Sequence, residues 1–413
     1  MNDLKRRIIY VWNYREWGGA QIYFMSLMKE AKAVYDVLVM LPSDSEKKVL
    51  DYLDALDIPY KFLGPAPAIH ASHIRSRVDR RLALITSEAR IVSEVLRESA
   101  GRETIVHIDL GFWQSFFPLF RLARRVDVFQ TIHTALPRLK GPRGLSWTIK
   151  GNILSRLSRC HFIASNREAR ASLRPYLTAE KQDQIDVTYA GYDPDEIDRV
   201  SKEHPGKDAI LRKYGLSVDV PIIISVGQFI DRKGCSIVLE ALRQLKENGR
   251  AFVFLWLGTR SPDSDIQKRI DAYGLGNSFR LMSPDDVGDT REDLLRLAGI
   301  AELFVIASLQ EGLPIALVEA MALGLPCIST RVNAIPEAIE HGHNGILIEP
   351  SDPAALATAV SEMLDDPDQR AALGIAAKQT ASERFSEKIT ARQTLELYDA
   401  VWKTDERTVR IVD

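Results

Sequence analysis

Short apolar runs alternate along the chain with longer amphipathic stretches. The runs are almost continuously apolar, as expected of parallel strands that are covered on both faces. They predict a first series of strands at 8–12, 37–41, 105–109, 128–133, 161–165 and 186–190. A second series is predicted at 222–227, 252–258, 279–282, 303–307 and 327–330. Strands that alternate with helices indicate βαβ units, and therefore an α/β fold built from doubly wound parallel sheets.

A polar segment at 193–219 separates the two series of predicted strands. We therefore expect two Rossmann-like domains, with an N-terminal domain at 1–200 and a C-terminal domain at 201–384. Residues 385–413 are predicted to form a late helix, because apolar positions recur there at helical spacing.

Composition adds that the chain is of the soluble globular class, with 413 residues, 46% hydrophobic and 27% charged. The apolar run that follows the basic residues near the N-terminus covers only 8–12, which is too short for a signal-peptide core or a membrane span. Cys160, Cys235 and Cys327 are scattered, so they indicate neither a disulfide framework nor a metal site. We expect a protein of the reducing cytoplasm.

Positive charge is concentrated at 121–174, which holds twelve Lys and Arg but only two acidic residues. One interpretation is a solvated face, and the other is a surface that meets anionic lipid or a phosphorylated acceptor. The aromatic segment 112–120 leaves a similar choice, between a buried stretch after a strand and peripheral contact at the inner face of a membrane. No nucleic-acid motif accompanies the charge, so we expect no nucleic-acid partner.

The most informative segment is Glu-Gly-Leu-Pro-Ile-Ala-Leu-Val-Glu at 311–319, which follows an apolar strand. Pro314 suits the first turn of a helix, so that Glu311 lies in the preceding loop and Glu319 lies within the helix. The free N–H groups and the positive dipole end of a helix N-terminus bind phosphate, and carboxylates accept hydrogen bonds from sugar hydroxyls. The segment therefore indicates a site for a sugar attached to a phosphate.

This segment, together with Gly324, Pro326 and Ile335-Pro336-Glu337, resembles the Glu-x7-Glu motif of retaining glycosyltransferases of the GT-B fold, glycosyltransferase family 4. The resemblance implies two Rossmann-like domains that face each other across a cleft, with the last helix crossing back to the N-terminal domain. It also implies transfer of a sugar from a nucleotide-diphosphate donor to an acceptor hydroxyl, by front-face displacement and without a metal ion or cofactor.

The resemblance assigns roles to residues of the C-terminal domain. Glu311 would bind donor-sugar hydroxyls in catalysis, and Glu319 the ribose. Leu313 and Pro314 would form the donor loop, while the backbone N–H groups of Ile315 and Ala316 would bind the diphosphate. In Val226-Gly-Gln-Phe-Ile-Asp-Arg-Lys-Gly234, Lys233 matches a diphosphate-binding catalytic Lys, whereas Gln228 replaces an expected Arg. An uncharged Gln would stabilise the leaving group less, and Arg232 is the neighbouring cation.

In the N-terminal domain, Gly18 and Gly19 open a helix after the first strand, where close backbone approach would favour an anionic ligand. His133 ends a predicted strand, at the edge where parallel sheets bind ligands, and the resemblance places it near the donor sugar as a catalytic residue. His107 also ends a strand, and it is either a site residue or a structural one. Three Asp-x-Asp pairs, at 193/195, 263/265 and 366/368, are expected to cap helices, so no metal site is predicted.

The predicted partners are a nucleotide-sugar donor, with UDP or GDP as the nucleotide, and a glycan, lipid-linked or small-molecule acceptor. Asn333-Ala334 replaces a Gly-Gly pair that is common in the family, which could alter sugar selectivity. Two alternatives stay open. One is a nucleotide-sugar epimerase of the same fold, and the other is a non-catalytic sugar-nucleotide-binding partner, which is suggested by Gln228 and Asn333.

Overall fold

The computed structural model describes residues 6–15, 19–66, 77–109, 116–258, 264–288 and 290–412, with side chains described outside 77–81, 264–266 and 404–412. The chain divides into two compact units. The first unit comprises Met1–Ala190 and Glu387–Asp413, and the second comprises Gly191–Ser386. The sequence predicted divisions after residues 200 and 384, whereas the structure divides after Ala190 and Ser386.

The first unit contains a parallel sheet of seven strands within the described residues, in the order β3-β2-β1-β4-β5-β6-β7. The strands are β1 Arg7–Trp12, β2 Asp36–Leu41, β3 Tyr60–Phe62, β4 Thr104–Asp109, β5 Asp127–Ile132, β6 Cys160–Ala164 and β7 Asp186–Val187. The apolar runs predicted every strand except β3, which has only three residues and lies at the sheet edge. A run so short and only partly buried carries too weak a hydrophobic signal.

Helices cover both faces of this sheet, as expected of a doubly wound unit. They are α1 Gly19–Ala31, α2 Lys47–Ala55, α3 Arg77–Glu98, α4 Phe116–Leu122, α5 Gly141–Ser155, α6 Arg167–Leu173 and α7 Ala179–Asp183, with a 3-10 turn at Arg174–Tyr176. The final helix belongs to this unit too, because its Tyr398 is fully buried in a core cluster with Tyr10 and Phe24.

The second unit contains a parallel sheet of six strands among the described residues, in the order β10-β9-β8-β11-β12-β13. The strands are β8 Ile222–Val226, β9 Val253–Leu257, β10 Phe279–Met282, β11 Leu303–Ile306, β12 Cys327–Thr330 and β13 Ile346–Ile348. The apolar pattern predicted all of them except β13, again a three-residue edge strand.

The helices of the second unit begin before its first strand. They are α8 Pro194–Lys202, α9 Lys207–Tyr214, α10 Cys235–Glu247, α11 Ser264–Ala272, α12 Pro284–Val287, α13 Arg291–Ala298, α14 Ile315–Ala322, α15 Ile335–Ala338, α16 Pro353–Asp365 and α17 Pro367–Arg384. The last helix of the chain is α18 Glu387–Val412, which packs on α1 in the first unit. Helix α8 packs against α13 and α14, which explains why the division of the chain precedes α8.

The structure bears on two hypotheses about membranes, namely a membrane-spanning helix and membrane contact by the aromatic segment 112–120. No helix in the part of the chain that the structure describes combines the length and the apolar character that a bilayer span requires. Residues 112–115 of the aromatic segment lie outside the described residues. Its remainder starts α4, where Phe116 and Phe120 pack against the core and Phe117 is exposed.

Candidate functional site

The second unit brings Lys233 and Glu311 together at the carboxyl edge of its sheet. Lys233 ends a 3-10 turn in the loop after β8, and Glu311 lies in the loop after β11, the neighbouring strand. The Lys233 Nζ forms an ion pair with Glu311 Oε1, and the Ser308 hydroxyl donates to the same oxygen at 2.7 Å. The side chains of Lys233 and Glu311 are only 19% and 7% exposed, so water screens the pair weakly.

The contact between these loops requires a glycine at position 234. Gly234 has a φ of +76°, and a Cβ built there would lie 1.9 Å from the carbonyl oxygen of Ala307. Glycine alone tolerates both the left-handed backbone and this close approach. The Lys-Gly pair in the sequence therefore has a structural cause, since Gly234 lets the loop of Lys233 reach the end of β11.

Asn333 lies in the loop after β12 and supports the loop that holds Glu311. It has a φ of +47°, in the left-handed region where Asn is tolerated better than most residues. Its side-chain oxygen accepts a hydrogen bond of 2.9 Å from the backbone N–H of Glu311. Asn333 therefore combines a left-handed backbone with a hydrogen bond that fixes the carboxylate's loop.

Helix α14 begins at Ile315, beside this pair, without a side-chain cap. Pro314 is its N-cap residue, with extended backbone, one position earlier than the first helical turn that the sequence predicted. Because proline has no capping side chain, the N–H groups of Ile315 and Ala316 at the helix start keep their donor capacity. Leu313 lies half-buried in the turn just before this helix.

Glu319 is the fifth residue of α14, and its side chain is 9% exposed. It forms an ion pair with Arg291, the first residue of α13, and Arg291 Nε also donates to Glu196 at 3.0 Å. Burial raises the pKa of the Glu196 carboxyl, and the guanidinium of Arg291 partly opposes that effect. The sequence analysis missed Arg291 and Glu196, because nothing in the spacing of three separate helices predicts that they meet.

Gln228 is exposed in the loop after β8. The neighbouring cation Arg232 donates to the carbonyl oxygen of Gln310 at 3.1 Å, and its Nη1 lies 3.8 Å from Glu311 Oε2. Arg232 therefore points toward the Glu311 loop rather than away from it. A second positive charge thus lies near the carboxylate, although no arginine occupies position 228.

The first unit places His133, Asp109 and Tyr14 at the carboxyl ends of β5, β4 and β1, which are adjacent strands. The Tyr14 hydroxyl donates to Asp109 Oδ2, and His133 Nε2 lies 3.8 Å from the same oxygen. His133 Nε2 is buried and has no hydrogen-bond partner in the described part of the chain. Burial lowers the pKa of His133 and the nearby Asp109 carboxylate opposes this, so the imidazole is neutral at pH 7.

His107 has a structural role in the same unit. It is fully buried, with Nδ1 bonded to the Tyr398 hydroxyl and Nε2 at 2.6 Å from Thr131 Oγ1. Burial holds its pKa well below the usual value. Both ring nitrogens are already occupied, which favours the structural interpretation of the two that the sequence left open.

The other predicted positions divide into described and undescribed ones. Gly19 starts α1 and is exposed, whereas Gly18 lies outside the described residues. Asp193 and Asp366 cap α8 and α17 through their side chains. The side chains of the pair at 263/265 are not described. Among the residues with described side chains, no group of three or more His, Cys, Asp or Glu is placed to hold a metal ion.

With this geometry in view, solved structures identify the fold. A glycosyltransferase from Rickettsia africae is 20% identical, with a TM-score of 0.78 over 97% of this chain and 99% of that one. Anabaena Alr3699/HepE, solved in complex with UDP and glucose, is 18% identical, with a TM-score of 0.72 over 96% of this chain and all of that one. The chain has the GT-B fold of these proteins, as two α/β domains with parallel sheets.

Sequence comparisons identify the second unit more closely. Residues 206–380, which lie within the second unit, match the family described as glycosyl transferases group 1. The amylovoran biosynthesis glycosyltransferase AmsK of Erwinia amylovora is 30% identical over 183 residues, which are 43% of this chain and 44% of AmsK. The chain thus matches less than half the length of that relative.

Proposed function

We propose that this protein is a retaining glycosyltransferase that moves a sugar from a nucleotide-diphosphate sugar to an acceptor hydroxyl, in the synthesis of a glycan or glycolipid. The observation that carries the proposal is the Lys233–Glu311 pair beside the uncapped start of α14. This arrangement offers a cation and free N–H groups to a diphosphate, and a carboxylate to sugar hydroxyls. The family match and the UDP and glucose named for Anabaena HepE support the same assignment.

In the proposed reaction, Lys233 and the N–H groups of Ile315 and Ala316 stabilise the charge that develops on the departing diphosphate. Fixed donors aimed at developing charge are among the largest contributions to catalysis. A β-phosphate oxygen takes the proton of the attacking acceptor hydroxyl on the same face of the sugar, which preserves the anomeric configuration. Glu311 binds donor-sugar hydroxyls, and Glu319 binds the ribose in exchange for its pairing with Arg291. In the first unit, His133, whose Nε2 has no hydrogen-bond partner among the described residues, is the proposed ligand of a sugar hydroxyl.

Donor binding is the first test of this proposal. Thermal unfolding is measured with UDP-, GDP-, ADP- and dTDP-sugars, for the natural protein and for Glu319→Ala. A ligand at about 100 times its Kd stabilises the folded state by about 2.7 kcal/mol, so a shift with UDP or GDP is expected. The shift should be smaller in Glu319→Ala. If no nucleotide sugar stabilises the protein, the donor-site assignment is wrong.

Product analysis then separates transfer from the two alternatives. With the donor identified, acceptors are screened, and the anomeric configuration of the product is read by NMR. Retention supports the proposed mechanism, and inversion contradicts it. An isomerised nucleotide sugar formed without any acceptor would indicate the epimerase. If the protein binds the donor but does not turn it over, and Gln228→Arg restores turnover, the protein is a non-catalytic partner that has lost its phosphate-binding arginine.

Charge stabilisation by protein groups also leads us to propose that the reaction needs no divalent cation. Lys233 and the start of α14 supply the positive charge that a metal ion supplies in other phosphoryl and glycosyl transfers. Activity should therefore be unchanged after dialysis against EDTA. Loss of activity with EDTA, restored by Mg²⁺ or Mn²⁺, would contradict this part of the proposal.

A further inference from the structure

Three helices of the first unit form one layer on the same side of its sheet. Helix α4 packs against both α3 and α5. Buried residues of all three helices contribute to one core cluster, among them Val95 of α3, Leu119 of α4 and Leu154 of α5. Helices α1 and α18 contribute to a second cluster on the opposite face, because successive strand residues alternate between the two clusters. The outer side of this layer is one surface of the first unit, which we call the α3–α5 surface.

The α3–α5 surface exposes a large share of the chain's apolar side chains. Ten large apolar side chains are exposed in the part of the chain that the structure describes, and five of them lie on these three helices. They are Leu82, Ile85, Phe117, Leu145 and Ile149, each between 43% and 64% exposed. Single exposed apolar residues are ordinary, whereas a group of them on neighbouring helices is typical of an interaction surface.

Exposed arginines accompany these apolar residues. Arg121 lies on α4, Arg124 and Arg125 follow that helix, and Arg143 lies on α5. The guanidinium of Arg121 lies over the Phe117 ring, 5.4 Å from the ring centroid, so a positive charge lies directly beside an exposed aromatic side chain. None of the four arginines forms an ion pair with a carboxylate of the described residues.

The described side chains of the three helices leave this positive charge unbalanced. Helices α4 and α5 and the loop between them contain one acidic residue, Asp127, which is buried. On the described part of α3, Glu88 is buried, and Glu94 and Glu98 pair with Lys61. The four arginines therefore give the surface an excess of positive charge, which complements an anionic partner.

We propose that the α3–α5 surface binds an anionic lipid membrane, with its arginines at the phosphate headgroups and its apolar side chains at the boundary of the acyl chains. Stable attachment of a protein to a membrane surface combines these two contributions, which are charge attraction and apolar burial. A nucleic acid would use the arginines but would leave the apolar side chains in water. The apolar side chains are spread over three helices, which suits a broad bilayer better than a single bound peptide.

The first experiment tests the charge by flotation with vesicles, comparing phosphatidylcholine that contains phosphatidylglycerol with phosphatidylcholine alone. We expect the protein to float only with phosphatidylglycerol. Arg121→Gln/Arg124→Gln should weaken the partition about tenfold or more, because each basic residue near an anionic surface adds to the attraction. Lys202→Gln/Arg212→Gln, which removes two exposed cations of the second unit, is the matched control and should change the partition by less than about twofold.

The second experiment tests the apolar contact at a single position. Leu145→Cys is labelled with an environment-sensitive dye such as NBD, which the natural cysteines leave to the new thiol because all three are buried. With phosphatidylglycerol vesicles, the dye should brighten and its emission should move to shorter wavelength, because it enters an apolar region. Ile375→Cys replaces an exposed apolar residue on α17 of the second unit, and the dye there should not respond.

Several results would overturn the proposal. One is flotation that is absent, or equal with both kinds of vesicle. Another is flotation that Arg121→Gln/Arg124→Gln leaves unchanged, or a dye at position 145 that does not respond to vesicles. A dye response that grows with protein concentration in the absence of vesicles would mean that a second copy of the chain covers this surface instead. If circular dichroism shows that the double arginine variant does not fold, the dye at position 145 decides alone. These measurements need no sugar transfer, so their outcome is independent of the proposed function.

Discussion

At the carboxyl edge of its sheet, the second unit presents paired charges, whereas the first unit presents largely neutral groups at the equivalent edge. Lys233 with Glu311 and Arg291 with Glu319 are ion pairs of cation and carboxylate. In the first unit, the neutral imidazole of His133 lies near one carboxylate, which also accepts from a phenol. The same architecture thus carries a charged edge in one unit and a largely neutral edge in the other, and the proposed function assigns the first to a diphosphate and the second to sugar hydroxyls.

The two edges also differ in how they are held in place. In the second unit, backbone geometry fixes the loops of the site. Gly234 allows the close contact with Ala307, and Asn333 accepts a hydrogen bond from the backbone of Glu311. In the first unit, side-chain packing holds the site residue in place, because the His133 ring lies edge-on to Tyr23 with ring centroids 5.2 Å apart. Substitutions in the second unit should therefore disturb the site through its backbone and charges, whereas those in the first unit should disturb it through packing and protonation.

The largest effect is expected for Lys233→Met. The substitution keeps an unbranched side chain but removes the charge that, in the proposed reaction, stabilises the departing diphosphate. Loss of one preorganised charge-stabilising group costs about 10²–10³-fold in kcat, so we expect a decrease of that size. The measurement is nucleotide release from the donor in the presence of acceptor. Arg232→Met is the matched control and should lose less than tenfold. Activity of Lys233→Met within threefold of the natural protein would contradict the assigned role.

Asn333 gives the next largest effect, this time on stability. Asn333→Ala loses the hydrogen bond to Glu311 and forces a left-handed backbone on alanine, for a total of about 2 kcal/mol. Asn333→Gly relieves the backbone and loses the hydrogen bond, for about 1 kcal/mol. Thermal unfolding of both variants tests the difference. Equal destabilisation would mean that the φ of +47° carries no cost at this position.

These residues show how far the sequence alone could go. The apolar runs predicted eleven of the thirteen strands in the described residues, because buried parallel strands are continuous and distinct. The strands that were missed, β3 and β13, have three residues each, too few for a periodic signal. Lys233 and Glu311 were predictable as members of one motif, although no periodicity shows that their side chains meet.

Contacts between side chains that are far apart along the chain could not be predicted from the sequence. Arg291 lies in a capping box with Thr290 and Asp293, a local signal that marks the start of α13 and nothing more. Its contacts with Glu319 and Glu196 arise because α8, α13 and α14 pack together. Asp109 was read as the last residue of a strand, and its partnership with Tyr14 depends on the order of strands in the sheet. Such contacts are consequences of topology, which single-chain patterns do not encode.

Arg291 allows the charged edge to be tested through a double-mutant cycle. Arg291→Gln leaves the carboxylates of Glu196 and Glu319 without their cation, and we expect a loss of about 1 kcal/mol, limited by the partial exposure of Arg291. Glu196→Gln in the same chain should recover part of this loss, because residues that share one network are not additive. The measurement is the midpoint of thermal unfolding for the four proteins. Strict additivity would show that Arg291 and Glu196 do not interact.

The smallest effect concerns pH and the first unit. Burial lowers the pKa of His133 below its ordinary value near 6.5, so the unfolded chain binds a proton there more readily than the folded protein. Stability from His133 is therefore fully present above about pH 6.5 and is lost as the pH falls toward the lower pKa of the folded state. Glu88 acts in the opposite direction, because burial raises its pKa to about 7.

Because of Glu88, the difference between two proteins is more informative than one pH profile. The stability of the natural protein relative to His133→Gln should decrease as the pH is lowered from 7.5 to 5, since the unfolded natural chain protonates His133 more readily than the folded protein does, and the variant lacks this group. Asp109→Asn removes the carboxylate that opposes the lowered pKa of His133. The stability of Asp109→Asn relative to the Asp109→Asn/His133→Gln double variant should therefore continue to decrease down to a lower pH. Thermal unfolding across this range provides the measurement. A difference that stays constant with pH would show that His133 is not held neutral by burial, and the contrast between the two sheet edges would lose its electrostatic basis.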